Sequence, residues 1–408
     1  MTRFVIVGGG LAAAKAAETL REEGFDGEVV LFAGEPELPY ERPPLSKGYL
    51  LGQEERDSAF VHPADWYAKH DIDLRTGVTV AAIDPASHEI TFNGEVLGYD
   101  KLLLATGASA RRLDVPGADL DGVRYLRTLP EADALRTVLT ADARVVIIGA
   151  SWIGLEVAAA ARSAGAAVTV VTSQPTALSS VLGPELGARF ADLHRSHGVE
   201  FRFGDSVVEL YGGHPAGVRH VGSAMTKSGE LILADVVVVG IGAVPNTELA
   251  EAAGLEVDGG VVTDSALRTS APDIFAAGDV ASSFHPLLGR HLRLDHWANA
   301  AGGGQAAATS MLGQDVSYDR VPYFFSDQYD LGMECSGLPL PDGYDQVVYR
   351  GDPGQLEFIA CWLKQGKLTA AMNVNVWDVT DDLQSIIRSG KTMDPTRLSN
   401  PNIPLSDL

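Results

Sequence analysis

Cysteine is almost missing from this chain. Among 408 residues there are two, Cys335 and Cys361, both late in the sequence. That scarcity excludes a cysteine metal cluster, so no metal is expected, and it suggests a reducing, cytoplasmic setting. Long apolar runs are missing too. None approaches the ~20 residues that span a bilayer, and no charged-then-apolar leader is expected ahead of the strand that begins at residue 3. Positive charge is short: Lys and Arg number 31 against 54 Asp and Glu, a net charge of −23. An acidic chain is a poor partner for nucleic acid or an anionic membrane. Solubility alone accounts for such a charge. With 46% hydrophobic and 21% charged residues, the chain can bury large cores. Its length predicts about two or three domains.

What is present is organised around the first stretch, Arg3-Phe-Val-Ile-Val-Gly8-Gly9-Gly10-Leu11-Ala12-Ala13. An apolar, β-branched run reads as a buried strand. Three glycines follow, then a segment of high helix propensity over 12–23. The spacing Gly8-x-Gly10-x-x-Ala13 is the dinucleotide fingerprint with alanine in the last slot. Gly8 permits the turn, Gly10 lets a pyrophosphate reach the backbone, and Ala13 lets helix and strand pack closely. The helix N-terminus offers free N–H groups to the phosphates. A second strand over 28–32 ends near Glu35, which could hold a ribose hydroxyl.

The next motif is Arg42-Pro43-Pro44-Leu45-Ser46-Lys47. The paired prolines are expected to break any element, and Ser46 could cap a short helix. Taken alone this is a rigid surface loop with a solvated Lys47. Residues 73–80 and 89–92 read as short strands, and the apolar run at 99–104 reaches the small-residue turn Ala105-Thr106-Gly107. A linker is expected over 113–117, and Arg127 stands before a helix start.

The opening pattern then returns as Arg144-Val-Val-Ile-Ile-Gly149-Ala150-Ser151-Trp152-Ile153-Gly154-Leu155-Glu156. This internal repeat of a nucleotide-binding unit sets the fold. Two nucleotides imply one tightly held and one exchanging. Ser151 replaces the middle glycine. The following strand ends in Thr172-Ser173-Gln174, with neither an acid for a ribose 2′-hydroxyl nor an arginine for a 2′-phosphate. A strand over 234–239 runs into a loop with Gly242, and another over 274–277 ends at Gly278-Asp279. Ligands bind at strand ends in open α/β sheets, although an Asp after Gly also serves as an ordinary turn residue. Beyond about residue 320 the texture changes to aromatic and β-branched strands, with a helix near 380–389.

Five motifs carry a resemblance that covers essentially the whole chain. They are Arg42-Pro-Pro-Leu-Ser-Lys47, Gly154-Leu-Glu156, Ala276-Ala-Gly-Asp279, His296-Trp297-Ala-Asn-Ala300 and Pro322-Tyr-Phe-Phe-Ser-Asp-Gln-Tyr329. Together they resemble the FAD-dependent NAD(P)H:ferredoxin reductases, the type of putidaredoxin reductase, rubredoxin reductase and the reductase components of aromatic dioxygenases. The resemblance implies an α/β fold with two Rossmann-like nucleotide-binding domains, for FAD and NAD(P)H, plus a C-terminal α+β domain. The expected divisions are 1–112 and 244–319 for FAD binding, 113–243 for NAD(P)H binding, and 320–408 for the C-terminal domain. It implies FAD along Gly8, Gly10, Leu11, Ala12 and Ala13, with the ribose at Glu35. Arg42, Lys47, Val80, Ala105, Thr106, Gly107, Arg127, Gly278, Asp279 and Trp297 complete that site. It implies NAD(P)H over Gly149, Ala150, Ser151, Trp152, Ile153 and Gly154, with Glu156, Thr172 and Gly242. NADH is slightly favoured over NADPH. Phe325 stands where many relatives carry Trp, and Thr172 where NADH-using relatives carry an acid.

The implied catalytic pair is Lys47 and Glu156, a partly buried ion pair beside the flavin and nicotinamide. The implied partner is a small iron–sulfur ferredoxin serving a P450 or a dioxygenase, and the protein is expected to be a monomer or weak homodimer. Arg290, His291 and Arg293, with Arg388 and Lys391 on the last helix, could form a docking patch or be scattered solvated charges. The alternatives are an NAD(P)H oxidase or quinone reductase, and an NADH-sensing redox interaction protein. A flavin disulfide reductase would need reactive cysteines in its first domain, and this chain has none before Cys335. Cys335 and Cys361 read as small buried residues.

Overall fold

Four apolar runs and one mixed edge strand, dispersed along the chain, pair into one parallel sheet. A computed structural model describes residues 2–213, 219–340 and 343–408. The sheet order is Ile274–Ala276, Lys101–Leu104, Arg3–Val7, Glu28–Ala33, Ile72–Thr76, and every neighbour pair is parallel. The inner strands are covered on both faces, which is why they read as apolar runs, whereas the edge strand Ile72–Thr76 carries Asp73 and Arg75. These strands belong to a compact unit built from Met1–Glu41, Arg56–Ser109 and Val244–Pro322.

One face of this sheet packs on the helices Leu11–Glu22 and Trp297–Met311. The helices are rich in alanine and glycine because their backbones nearly touch: a Cβ on Gly304 would lie 2.2 Å from the Ala12 carbonyl oxygen. The other face packs on the antiparallel strands Val80–Asp84, Glu89–Phe92 and Glu95–Gly98. The run expected at 73–80 is thus two elements, Ile72–Thr76 and Val80–Asp84, with Gly77 at φ +69° between them.

The second unit comprises Arg42–Glu55, Ala110–Ala243 and Tyr323–Leu408. Its parallel sheet runs Val199–Phe203, Ala167–Thr172, Arg144–Ile148, Val236–Val239, Val123–Arg124. The helices Trp152–Ser163 and Ser179–Ser196 follow its first two inner strands, the latter kinked where Gly183 leaves helical geometry before Pro184. The C-terminal part is an antiparallel sheet ordered Tyr323–Gln328, Leu331–Gly337, Lys367–Val374, Glu357–Lys364, Gln346–Asp352. The helix Thr380–Ser389 lies on its central strands. The irregular tail is held by Arg350, whose guanidinium donates to the carbonyls of Asn400 and Ile403 at 2.6 and 2.5 Å. The α/β class, the paired Rossmann-like cores and the C-terminal α+β part expected from the sequence are all present.

Three local expectations need correction. The prolines at 43 and 44 do not break structure; their fixed φ starts a 3₁₀ turn, Pro43–Ser46. Ser46 closes that turn instead of capping a helix. Lys391 lies past the helix Thr380–Ser389, which Gly390 ends in the left-handed conformation at φ +58°, and the last helix is the short Pro395–Ser399. Among the described residues no helix is long and apolar enough to cross a membrane.

Candidate functional site

In the first unit the loops after three neighbouring parallel strands come together. Gly8 follows Val7 at φ +131°, and a Cβ there would lie 2.0 Å from the Ala105 carbonyl oxygen. Only glycine allows the Gly8 turn and the Ala105-Thr106-Gly107 turn to touch. Thr106 is tied further by Asn246, which accepts its hydroxyl proton on the main-chain oxygen and donates its amide to the Thr106 carbonyl, both at 2.8 Å. Gly278, at φ +77°, stands close to Ala12, where a Cβ on it would lie 3.0 Å from the Ala12 Cβ, and Asp279 follows it in the short turn Gly278–Val280. Leu11, Ala12 and Ala13 are buried there.

This arrangement fits a pyrophosphate. Gly10 is the N-cap of the helix and supplies no side-chain cap, so the first-turn N–H groups have no side-chain acceptor from it. A Cβ on Gly10 would meet nothing within 4 Å, which leaves open space against those donors. Glu35 follows the strand Glu28–Ala33 and is oriented by Tyr40, whose hydroxyl donates to its carboxylate at 2.6 Å. Tyr40 is a contributor that sequence reading missed. Val80 is buried opposite Phe92 in the antiparallel layer. Trp297 opens its helix and is 38% exposed.

The second unit repeats the turn. Gly149 has φ +102°, and a Cβ on it would lie 2.3 Å from the Gly240 carbonyl oxygen. Here the N-cap is Ser151. Its hydroxyl accepts from the Gly154 N–H at 3.3 Å and donates to the Gly240 carbonyl at 2.9 Å. Ala150 is buried, Ile153 is exposed, and Trp152 packs its ring against Phe190 and Phe324. Thr172 closes the strand Ala167–Thr172 and is buried, accepting the Gln174 N–H at 3.3 Å. Gly242, at φ +105°, has open space where a Cβ would stand.

Glu156 sits on the first turns of this second helix and is only 3% exposed. A buried carboxylate demands partners, and Glu156 has three. Lys47 Nζ lies 2.8 Å from Oε1. Ser46 Oγ donates to Oε2, and Ser326 Oγ donates to Oε1 at 2.6 Å. Lys47 is therefore not the solvated lysine that its loop alone suggests: its side chain is 14% exposed, paired, and stands 5.3 Å from the Phe325 ring centroid. The residues before it are anchored as well. Arg42 donates to the Arg127 carbonyl, and Thr128 with Glu131 forms a capping box that fixes the chain after Arg127.

Ser46, Ser326 and Gln328 were missed as site residues by the sequence reading. The signal for two of them was present: Ser326 and Gln328 are two apart on the strand Tyr323–Gln328, hence on one face. Of the basic groups, Arg290 and His291 are exposed on the strand Arg290–Leu292, while Arg293 is paired with Asp295. Arg388 lies in the last turn of the helix Thr380–Ser389. Cys335 and Cys361 are free and fully buried, and burial pushes the Cys361 thiol up to about 12. Neither is a reactive thiol.

Residues 2–304 match the family described as pyridine nucleotide-disulphide oxidoreductase, and 323–408 match the reductase C-terminal family. The chain is 40% identical over 411 residues to the ferredoxin–NAD(+) reductase component of the anthranilate 1,2-dioxygenase system of Burkholderia cepacia, covering 98% of each chain. It is 35% identical to putidaredoxin reductase of Pseudomonas putida, over 99% of this chain and 96% of that one. Among solved structures, the covalent putidaredoxin reductase–putidaredoxin complex superposes with a TM-score of 0.95 at 35% identity, covering all of this chain and 97% of that one. The ferredoxin reductase of the CYP199A2 system of Rhodopseudomonas palustris gives 0.94 at 34% identity, over 100% and 99%. This chain belongs to the pyridine nucleotide-disulphide oxidoreductase family, as an FAD- and NAD(P)H-using member with the reductase C-terminal domain.

Proposed function

We propose that this protein takes hydride from NAD(P)H onto FAD and passes electrons one at a time to a small iron–sulfur ferredoxin that supplies a P450 or a dioxygenase. The observation that carries the reading is the Lys47–Glu156 pair, buried beside an intact second nucleotide cradle in a chain without a reactive thiol. The relatives named above, reductases of ferredoxin-dependent systems, agree with it. FAD would lie in the Gly8 cradle and NAD(P)H in the Gly149 cradle. Residues 1–112 and 244–319 would make the FAD domain, 113–243 the NAD(P)H domain and 320–408 the C-terminal domain. We place the protein in the cytoplasm, in keeping with two free, buried cysteines.

FAD supplies the exchange of two electrons for single ones. The protein supplies position and charge. The helix starts after the Gly8 and Gly149 turns would offer N–H donors to the two pyrophosphates. Glu156 holds Lys47 in one place, and Lys47 would supply a fixed cationic group able to stabilise the negative charge that hydride delivery adds. Burial strengthens that interaction by lowering the local dielectric.

Anaerobic titration of the purified protein with NADH and then NADPH, followed in the visible spectrum, tests the flavin and the nucleotide preference together. Lys47→Met is expected to slow flavin reduction on the order of a hundredfold, the scale of losing one preorganised charge at a reacting centre. An unchanged reductive half-reaction refutes the role of Lys47. Rapid ferredoxin-dependent cytochrome c reduction is expected; turnover with oxygen or a quinone alone overturns the ferredoxin reading.

A further inference from the structure

From Glu156 a row of polar groups leads through Ser326 and Gln328 to His194, and the functional reading uses none of it. Gln328 Nε2 donates to Ser326 Oγ at 3.0 Å. His194 Nε2 lies 2.8 Å from Gln328 Oε1. An amide oxygen only accepts, so the imidazole donates there, and its Nδ1 lone pair is left for the Tyr329 hydroxyl at 3.4 Å. Ser326, Gln328 and His194 are each at most 1% exposed. The chain spans three elements: the helix Ser179–Ser196, the strand Tyr323–Gln328 and the helix Trp152–Ser163.

Every bond in the row points the same way. Tyr329 donates to His194, His194 to Gln328, Gln328 to Ser326, and Ser326 to Glu156. Ser326 has a single proton. Because Gln328 donates into its oxygen, that proton is left for the carboxylate, and the alternative rotor is excluded. An amide in the middle makes the row unsuitable for relaying a proton but well suited to fixing a dipole. Burial holds His194 well below the usual imidazole range, at about 4, so it stays neutral with one donor and one acceptor nitrogen.

We propose that His194 and Gln328, acting through Ser326, are positioning residues that hold the Glu156 carboxylate against Lys47. This rests on the functional reading given above for Lys47 and Glu156.

The test is rapid-mixing reduction of the holoprotein by NADH, with nucleotide Kd and thermal midpoint measured in parallel. Gln328→Leu removes the donor to Ser326 at similar volume. Flavin reduction at saturating NADH should slow roughly tenfold, the scale of one misdirected buried hydrogen bond, with Kd unchanged within about twofold. Ser326→Ala should do the same, and it carries the test if the larger change unfolds the chain. His194→Gln keeps a donor toward Gln328 and should retain most of the rate, whereas His194→Phe should not.

In a Glu156→Gln background, Gln328→Leu should cost nothing more, because its effect passes through the carboxylate. Equal rates for Gln328→Leu, Ser326→Ala and wild type, with Lys47→Met still slow, overturn the positioning role alone. A full additional loss in the Glu156→Gln background also overturns it. If Lys47→Met itself reduces at the wild-type rate, the functional reading fails first and the positioning role falls with it.

Discussion

The chain solves one problem twice, and the two solutions differ. Each cradle has a strand, a positive-φ glycine touching a neighbouring loop, and a helix. Gly8 meets Ala105, and Gly149 meets Gly240. At the next slots they part. The first helix starts at Gly10 with no side-chain cap and open space above it. The second starts at Ser151, whose hydroxyl already takes the Gly154 N–H. In the third slot Ala13 is a buried packing residue, whereas a Cβ on Gly154 would lie 2.3 Å from the Gly149 carbonyl oxygen. One helix is packed on alanine and presents bare donors. The other is drawn closer to its turn, partly capped by its own chain, and carries a buried Glu156. A first turn with no side-chain cap suits a ligand that stays; a first turn with one N–H already taken by its own serine offers an anion one donor fewer. The difference matches one retained and one exchanging nucleotide.

Filling each cradle separates the two roles most strongly. Gly10 has φ −94°, open to any residue, so Gly10→Val should fold and fail to take up FAD. The expected product is a colourless protein that stays colourless on reconstitution. Ser151→Val should give a yellow protein that NADH reduces at least tenfold more slowly at low nucleotide, because one bulky side chain then stands among the phosphate donors. A yellow Gly10→Val protein, or a colourless Ser151→Val protein, would reverse the assignment of the cradles.

Each unit holds one histidine well below the usual imidazole range, His296 in the first and His194 in the second, both pushed to about 4 by desolvation. His194, in the second unit, is fully buried and held near pH 4 by desolvation. Its unfolded pKa is about 6.5, so between pH 6.5 and 4 the unfolded chain binds a proton that the folded one refuses. Stability therefore falls as pH drops through that window, by up to about 3 kcal/mol from this group. Thermal midpoints at pH 7 and 4.5 should show a smaller acid shift for His194→Gln than for wild type. An identical shift in both would mean that other groups govern acid sensitivity.

How much of this could be read from sequence depends on the range of the cause. The cradles were legible because their physics is local: apolar run, glycine spacing and helix propensity lie within a dozen residues. The strand Arg3–Val7 and the helix Thr380–Ser389 stand where the sequence puts them. The Lys47–Glu156 contact was reachable only through the resemblance, since 109 positions separate the two numbers and nothing local signals it. Ser46 shows the limit most clearly. Its residue type fits a helix cap, yet its hydroxyl bonds a carboxylate 110 positions away. His194 had no signal at all: one histidine on a long helix acquires meaning only when Gln328 arrives from another element. Tyr40 likewise orients Glu35 through a loop whose path is set by tertiary packing.

The finest distinction between the cradles is the Ser151 hydroxyl itself. If it competes with nucleotide for the Gly154 N–H, removing it should help binding. Ser151→Gly keeps a residue that N-caps tolerate, at a cost of only a few tenths of a kcal/mol in helix stability. The freed donor is then available to the phosphates, and NAD⁺ should bind roughly two- to fivefold tighter, the worth of part of one hydrogen bond. Titration of the oxidised holoprotein with NAD⁺ reads this without turnover. Weaker binding in that variant would mean that the hydroxyl contacts the nucleotide directly. The contrast between a bare and a self-capped helix would then describe two ways of holding a ligand, and no longer holding against exchanging.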